Sequence, residues 1–421
     1  MAKLFSPLNA IGKSSSPGSG ALARTRNAIR RNKWRLRPLK GLVLPLRNSK
    51  RQAIALLRTM TPGLEAPPTI ERSTASYIGD HSSYSTIEVF PAEAVRPIPH
   101  PFQSTNGQHA VGSSMPAHIF ELNEIDFWGN YGGCVVTADH KLLGDLSPEV
   151  WGIENHAIFS RLRLPELEYL SGRTGIAVTP EAVGNYYHWI LDLLPRLSLI
   201  KKAGVGFDSF TRILINGSRA RYETESLAAI GAPLEKISYV DEHRRFRLES
   251  ATIPSMDQSS QIVAPWKVRA LRGLRDSLPN NGRSSPRRLY LSRRNAAVRR
   301  ILNEDRLSPL LEKAGFASVE LESRSWAEQV QMFAGAEVVL APHGAALANI
   351  VFCKPETLIA EINTRAGYRD FYLRLAATAS LQYRVLEAEP SATASGSTFR
   401  AAENEDMIVD EHTLDRFLRE L

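Results

Sequence analysis

The sequence predicts an α/β protein, and three observations carry that prediction. From about residue 185 the chain alternates between helical and strand periodicity with short connections, the pattern of a parallel sheet covered by helices. The composition, 43% hydrophobic and 23% charged over 421 residues, suits a globular chain of two lobes plus tails. It excludes collagen-like, coiled-coil and wholly disordered architectures. The polar candidates of the second half stand directly after strands, where open parallel sheets bind their ligands.

Residues 1–75 are expected to form a basic, disordered N-terminal segment. Residues 1–60 hold 14 Lys or Arg and no Asp or Glu, the first acid being Glu65. The rest of the chain holds 38 basic and 44 acidic groups, so the net charge of +8 comes entirely from the N-terminal segment. A general nucleic-acid-binding body is therefore not expected, because the basic excess is absent from the folded part. Three accounts of the segment compete: a solvated tail, a peripheral arm (residues 1–60) resting on anionic lipid, or an organelle transit peptide. No apolar core of a secretory signal follows the early charges, and no run of about 18 apolar residues predicts a membrane span. Cys134 and Cys353 are too few for a disulfide framework or zinc cluster and suit a reducing, cytoplasmic setting.

An N-terminal lobe is expected over residues 80–255, with strands at 85–90, 118–122 and 133–137, then strand 211–215, helix 222–230 and strand 236–240. A C-terminal lobe over 256–390 alternates strands at 288–291, 317–321, 337–340 and 357–362 with helices at 305–314, 326–334 and 345–352. Residues 391–421 read as a linker and a terminal amphipathic helix.

Three segments carry candidate chemistry. In Gly184–Leu197 the apolar positions Ile190, Leu193, Leu194, Leu197 and Ile200 mark a buried helical face, and Asn185 is an N-cap candidate. His188, Asp192 and Arg196, at i, i+4 and i+8, form a stripe on another face. This is either an ordinary surface ion pair, contributing about 0.3–0.5 kcal/mol, or a base, His188, oriented by Asp192. Pro195 weighs toward function, since an internal proline costs about 3 kcal/mol that a core helix rarely carries. In the second segment Ser292, Arg293 and Arg294 follow strand 288–291, with Arg299 and Arg300 beyond, and no acid intervenes before Glu304. Guanidinium forks at a strand mouth suit phosphate, although most arginine pairs are merely solvated. In the third, Val338–Asn349, strand, turn and helix place His343, Gly344 and Ala345 at a helix start, where unpaired N–H groups suit a phosphate. The spacing is neither that of a phosphate-binding P-loop nor that of the dinucleotide glycine fingerprint. Glu361, at the end of the next strand, is either a ribose-diol acceptor or an ordinary strand-end acid.

The order of GNYYHWILDLLPRL, YLSRRNAAVRRILNE and GAEVVLAPHGAALANIVF, across roughly residues 180–365, resembles the glycosyltransferase 61 family. That family includes bacterial capsular-polysaccharide glycosyltransferases and eukaryotic xylosyl-, arabinosyl- and N-acetylglucosaminyl-transferases. The resemblance implies a GT-B-like fold, two Rossmann-like lobes with parallel sheets and a nucleotide-sugar in the interlobe cleft. It implies inversion without an obligatory metal or cofactor, a nucleotide-sugar donor, UDP-linked by expectation, and a glycan or lipid-linked saccharide acceptor. Carried over by residue, Ser292, Arg293 and His343 to Ala345 hold the donor diphosphate. Arg294 and Glu361 are assigned beside them, and His188 and Asp192, flanked by Asn185 and Arg196, face the acceptor. Two glycines of the family's common G-x-H-G-A-G-L form are Ala341 and Ala346 here. A bacterial-type cytoplasmic enzyme is the expectation. A hydrolase using His188 and Asp192, and a non-catalytic nucleotide- or sugar-binding subunit with a basic docking tail, are the alternatives.

Overall fold

The computed structural model describes residues 40–421 apart from 62–63, 96–101, 103–111, 150–151, 257–262, 280–284 and 392–402. The Ser-rich stretch 14–20, the basic cluster 30–37 and most of the expected linker after 391 lie outside the described residues. By its contacts the chain separates into Met1–Lys50 and Arg51–Leu421. Of the first unit, the described part is the beginning of helix α1 (Lys40–Met60).

The second unit begins earlier than the charge distribution suggests. Residues 69–71 are already a strand of its larger sheet, paired with 141–143, so the expected appendage 1–75 is shorter than its composition implies. That sheet has nine strands: β1 (Thr69–Glu71), β2 (Ser85–Phe90), β3 (Ala117–Trp128), β4 (Cys134–Val136), β5 (Lys141–Leu143), β6 (Leu167–Ile176), β7 (Arg212–Ile215), β8 (Ile237–Tyr239) and β9 (Arg245–Pro254). Their spatial order is β1-β5-β4-β3-β9-β6-β7-β8, with β2 on the other edge of part of β3. Strands β9, β6, β7 and β8 run parallel, whereas β3 is antiparallel to β2, β4 and β9. The expectation of a parallel sheet in this lobe is thus corrected to a mixed one. The connections explain it. The parallel neighbours β6–β7 and β7–β8 are joined through helices, whereas antiparallel neighbours such as β3 and β4 need no more than a tight turn.

The smaller sheet is wholly parallel: β10 (Arg288–Leu291), β11 (Phe316–Val319), β12 (Val338–Pro342), β13 (Leu358–Asn363) and β14 (Gln382–Glu387), in the order β11-β10-β12-β13-β14. From β10 the chain steps one way to β11 and then returns past β10 to β12. The carboxyl ends of β10 and β12 therefore flank the point where strand order reverses, the place such sheets leave open for a ligand.

Helix α2 joins the two sheets' cores. It starts as an α-turn (Tyr186–His188), widens into a π-turn (Trp189–Leu193) and continues as Leu194–Lys202. Pro195 sits just past the widened turn, where in a regular helix its ring would clash with the carbonyl four residues back. Ile190, Leu193, Leu194, Leu197 and Ile200 are fully buried, as their spacing predicts. They share one hydrophobic core with the smaller sheet's helices and with the 3₁₀ helix Ala345–Phe352. Later helices are α3 (Arg221–Ala229), α4 (Pro265–Ser277), α5 (Glu304–Lys313), α6 (Trp326–Gly335), α7 (Phe371–Thr378) and α8 (Glu411–Arg419). Cys134 and Cys353 are buried and unbridged. Among the described residues no helix is long and apolar enough to cross a membrane.

Candidate active site

Asn185 caps α2, its side-chain oxygen accepting from the Tyr187 N–H at 3.1 Å. Three residues on, the His188 ring meets carboxylates at both nitrogens: Asp192 Oδ2 lies 2.7 Å from Nδ1 and Glu181 Oε2 3.1 Å from Nε2. Asp192 Oδ1 also accepts from Lys267 Nζ of α4 at 3.1 Å, and Lys267 is almost completely buried. Burial alone would depress the imidazole, but the two carboxylates outweigh it and push His188 up to about 9. Burial would raise Asp192, and the nearby Lys267 charge and His188 hydrogen bond hold it well below the usual carboxylate range. The hydrogen bond from His188 likewise lowers Glu181. At neutral pH the cluster is two anions interleaved with two cations.

Glu181 lies in the turn before α2 with φ of +61°, in the left-handed region that a glutamate rarely adopts. Backbone strain of this kind costs about 1–3 kcal/mol and persists where the surroundings enforce it. Here it aims the carboxylate at His188, with the Tyr131 hydroxyl donating to its other oxygen at 3.2 Å. Arg196 does not join the cluster as an acceptor-side group. It is buried, and its guanidinium donates to the carbonyls of Val178 and, at 2.7 Å, Pro254, clamping α2 to the larger sheet.

The second cluster lies at the reversal point of the smaller sheet. After β10, Ser292 Oγ donates to the buried Glu304 at 2.6 Å, and exposed Arg294 pairs with Asp305 at 2.8 Å. Arg293 takes the opposite course. Its guanidinium lies against Gly344, so close that a Cβ at that glycine would overlap it. The φ of Gly344 is extended, which any residue adopts, so a side chain there would act by displacing the Arg293 guanidinium. Arg293 donates to the Val298 carbonyl at 3.1 Å, and its Nε is buried without a partner. Half-buried Arg299, at φ of +60°, likewise has a buried, unpartnered Nε. Burial lowers both arginines, and the charge of Arg299 adds to the depression of Arg293. Among the described residues neither forms an ion pair with a carboxylate.

His343 stands beside them, Nδ1 bonded to Glu361 Oε1 at 2.6 Å. Glu361 is fully enclosed, with Asn363 also donating to Oε1 and the Tyr383 hydroxyl to Oε2. The expectation that Glu361 meets a ribose diol is corrected. Both its oxygens are engaged inside the sheet, and it orients His343. The Tyr372 hydroxyl of α7 donates to the Gly344 carbonyl at 2.6 Å, fixing the turn from the far side.

The clusters are joined by rings. His188 and Tyr187 have centroids 5.3 Å apart, Tyr187 and Tyr372 5.9 Å, and Tyr372 and His343 5.1 Å. The Tyr186 hydroxyl donates to Asn349 at 2.6 Å, tying the start of α2 to the 3₁₀ helix that follows Gly344. An ionised carboxylate with a cationic histidine and a pair of unneutralised guanidiniums thus flank one aromatic seam. That combination can accept a proton on one side and stabilise a polyanion on the other.

Glu181, Lys267 and Tyr372 carry no mark in the sequence reading. Arg299 stood in the basic run, and its seat beside Arg293 was the missing fact. Among the described residues no group of three or more His, Cys, Asp or Glu side chains is arranged to hold a metal ion.

No curated protein matches the chain. Residues 186–360, from the first turn of α2 to the middle of β13, match the family model described as Glycosyltransferase 61, which covers Arg293, Arg299, His343 and Gly344 as well as His188 and Asp192. That match supports membership of the glycosyltransferase 61 family and a glycosyltransferase activity.

Proposed function

We propose that the protein is an inverting, metal-independent transferase that moves a sugar from a nucleotide-diphosphate sugar, with UDP as the expected nucleotide, to a hydroxyl of a glycan or lipid-linked saccharide, within a GT-B-like arrangement of its two sheets. The observation that supports it best is the pair Arg293 and Arg299, half-buried and in no ion pair among the described residues, with the Arg293 guanidinium against the Gly344 turn. Guanidiniums removed from water and left unneutralised are costly unless an anion completes them, and a diphosphate offers bidentate partners to both. His343 and the first N–H groups of the 3₁₀ helix add donors on the same side.

In this account the acceptor hydroxyl attacks the anomeric carbon from the face opposite the diphosphate. The C–O bond to the new glycan forms as the bond to the β-phosphate oxygen breaks, and the electron pair departs with the phosphate. Arg293, Arg299 and the Gly344 turn neutralise that charge. The hydroxyl proton goes to a carboxylate. His188, named as base from the sequence, is protonated at neutral pH when both its nitrogens face carboxylates. We assign the proton-accepting atom to Glu181, with His188 and Asp192 holding it in place. A test needs no known acceptor: release of UDP from UDP-glucose, UDP-N-acetylglucosamine and UDP-xylose, with water or added saccharides as acceptor. Turnover raised by a saccharide supports a transferase. Turnover faster with water alone supports the hydrolase alternative, and UDP binding without any turnover supports a binding subunit.

A further inference from the structure

Helix α1 is amphipathic in an inverted sense. Its positions 51, 54, 55 and 58, at i, i+3, i+4 and i+7, face the body, and the two arginines among them make the anchoring contacts. The Arg51 guanidinium donates to the Glu154 carbonyl and sits 4.6 Å above the Phe159 ring. Arg58 is buried and donates to the carbonyls of Ile158 at 2.9 Å, Glu65 at 2.5 Å and Ala66 at 3.2 Å. The opposite stripe, with the same spacing, is Ala53, Leu56, Leu57 and Met60, all exposed: Leu56 60%, Leu57 51% and Met60 71%. Water gives no reason to hold arginines against the protein and leucines away from it.

The chain leading to this stripe, residues 1–50, carries 12 Lys and Arg with no acid among them, while the remainder of the chain is net acidic. An apolar stripe continuous with an unopposed basic segment matches one surface, a bilayer with anionic headgroups. Its field attracts the bases, and its boundary accepts the leucines to a depth of one helix face. We propose that α1 docks the enzyme on an anionic phospholipid surface through Leu56, Leu57 and Met60, with residues 1–50 supplying the electrostatic attraction. The contact is peripheral. It is independent of the reaction assigned above, so either can fail alone.

The test is co-sedimentation of the full chain with vesicles of phosphatidylcholine alone and with about one third phosphatidylglycerol. Binding is expected only to the anionic vesicles, falling as salt rises from about 0.1 to about 0.5 M. The double variant Leu56→Asp with Leu57→Asp should bind at least roughly tenfold more weakly while its thermal unfolding stays that of the parent. A full chain with Arg30, Arg31, Lys33, Arg35 and Arg37 replaced by Gln should lose most of the salt-sensitive component. Equal sedimentation with neutral vesicles, no binding to either, or unchanged binding by the aspartate variant would overturn the proposal. So would a dimer in solution that the aspartate variant dissolves, since a second copy would then be the occupant.

Discussion

The His188 and Arg293 clusters are built from the same kinds of side chain, yet one is electrically closed and the other open. Around His188 every charge has a partner, with Glu181 and Asp192 set against His188 and Lys267. Around Arg293 and Arg299 the acids whose charge reaches them include Asp406, Glu403 and Glu361, which are held by Arg300, Arg369 and His343, so neither guanidinium is in an ion pair among the described residues. A closed network holds a proton-transfer group in one geometry and protonation state. An open cationic site costs stability until an anion arrives, and that deficit becomes affinity for the ligand.

Breaking the closed side should have the largest effect. Glu181→Gln keeps the shape and removes the basic oxygen, and a loss of about 10²–10⁴ in kcat is expected, with UDP affinity measured by calorimetry unchanged. A Glu181→Gln enzyme at parental kcat would return the base to His188. Next comes Arg293→Ala on the open side, expected to weaken UDP binding by about 1.5–3 kcal/mol, or roughly 10–100-fold. The His188 cluster should be untouched, seen as an unchanged imidazole titration by NMR.

The pH dependence sharpens the contrast. His188 is raised to about 9, so its contribution to stability is complete below the ordinary histidine value near 6.5 and is lost as pH rises through about 9. Asp192 and Glu181 are lowered, so theirs is present above the ordinary carboxylate range and is lost as pH falls through their folded values. Thermal unfolding should therefore be highest near pH 6, decline by a few °C between about pH 6.5 and 9, and level off above. Activity should instead decline around pH 9, where His188⁺ is lost in the folded enzyme. A base at His188 predicts the reverse, with activity rising toward about pH 9. The smallest effect is expected from Arg294→Ala. Its guanidinium is exposed and paired with exposed Asp305, so UDP affinity should shift by less than about 1 kcal/mol, although it adjoins Arg293 in sequence.

That last pair shows what the sequence can and cannot convey. Four of the smaller sheet's five strands were legible because their elements are local, whereas β14 and α7 were not anticipated. Residues 288–291 and 345–352 were expected at the bounds observed, and the Arg and His motifs followed strands as the topology requires. In the larger sheet β6 and β9 escaped notice. Each is ten residues long, but Gly172 at φ of +76° interrupts one and a register shift between Leu248 and Ser250 breaks the other, so neither shows clean alternation. Within the site, spacing placed Asp192 one turn from His188 but could not place Lys267, 75 residues on, against the same carboxylate. It could not show that Arg293 turns inward while Arg294 turns out, or that Arg196 is spent on backbone carbonyls. These outcomes depend on which neighbours tertiary packing supplies.

The central claim is that two half-buried arginines at the strand-order reversal hold a diphosphate without a divalent ion. Calorimetric titration of UDP and of UMP into the protein, each with EDTA and with magnesium, tests it most directly. The account predicts that UDP binds equally in both buffers, that UMP binds at least about tenfold more weakly, and that Arg299→Ala removes most of the difference. UDP binding that appears only with magnesium, or UMP binding as tightly as UDP, would contradict it.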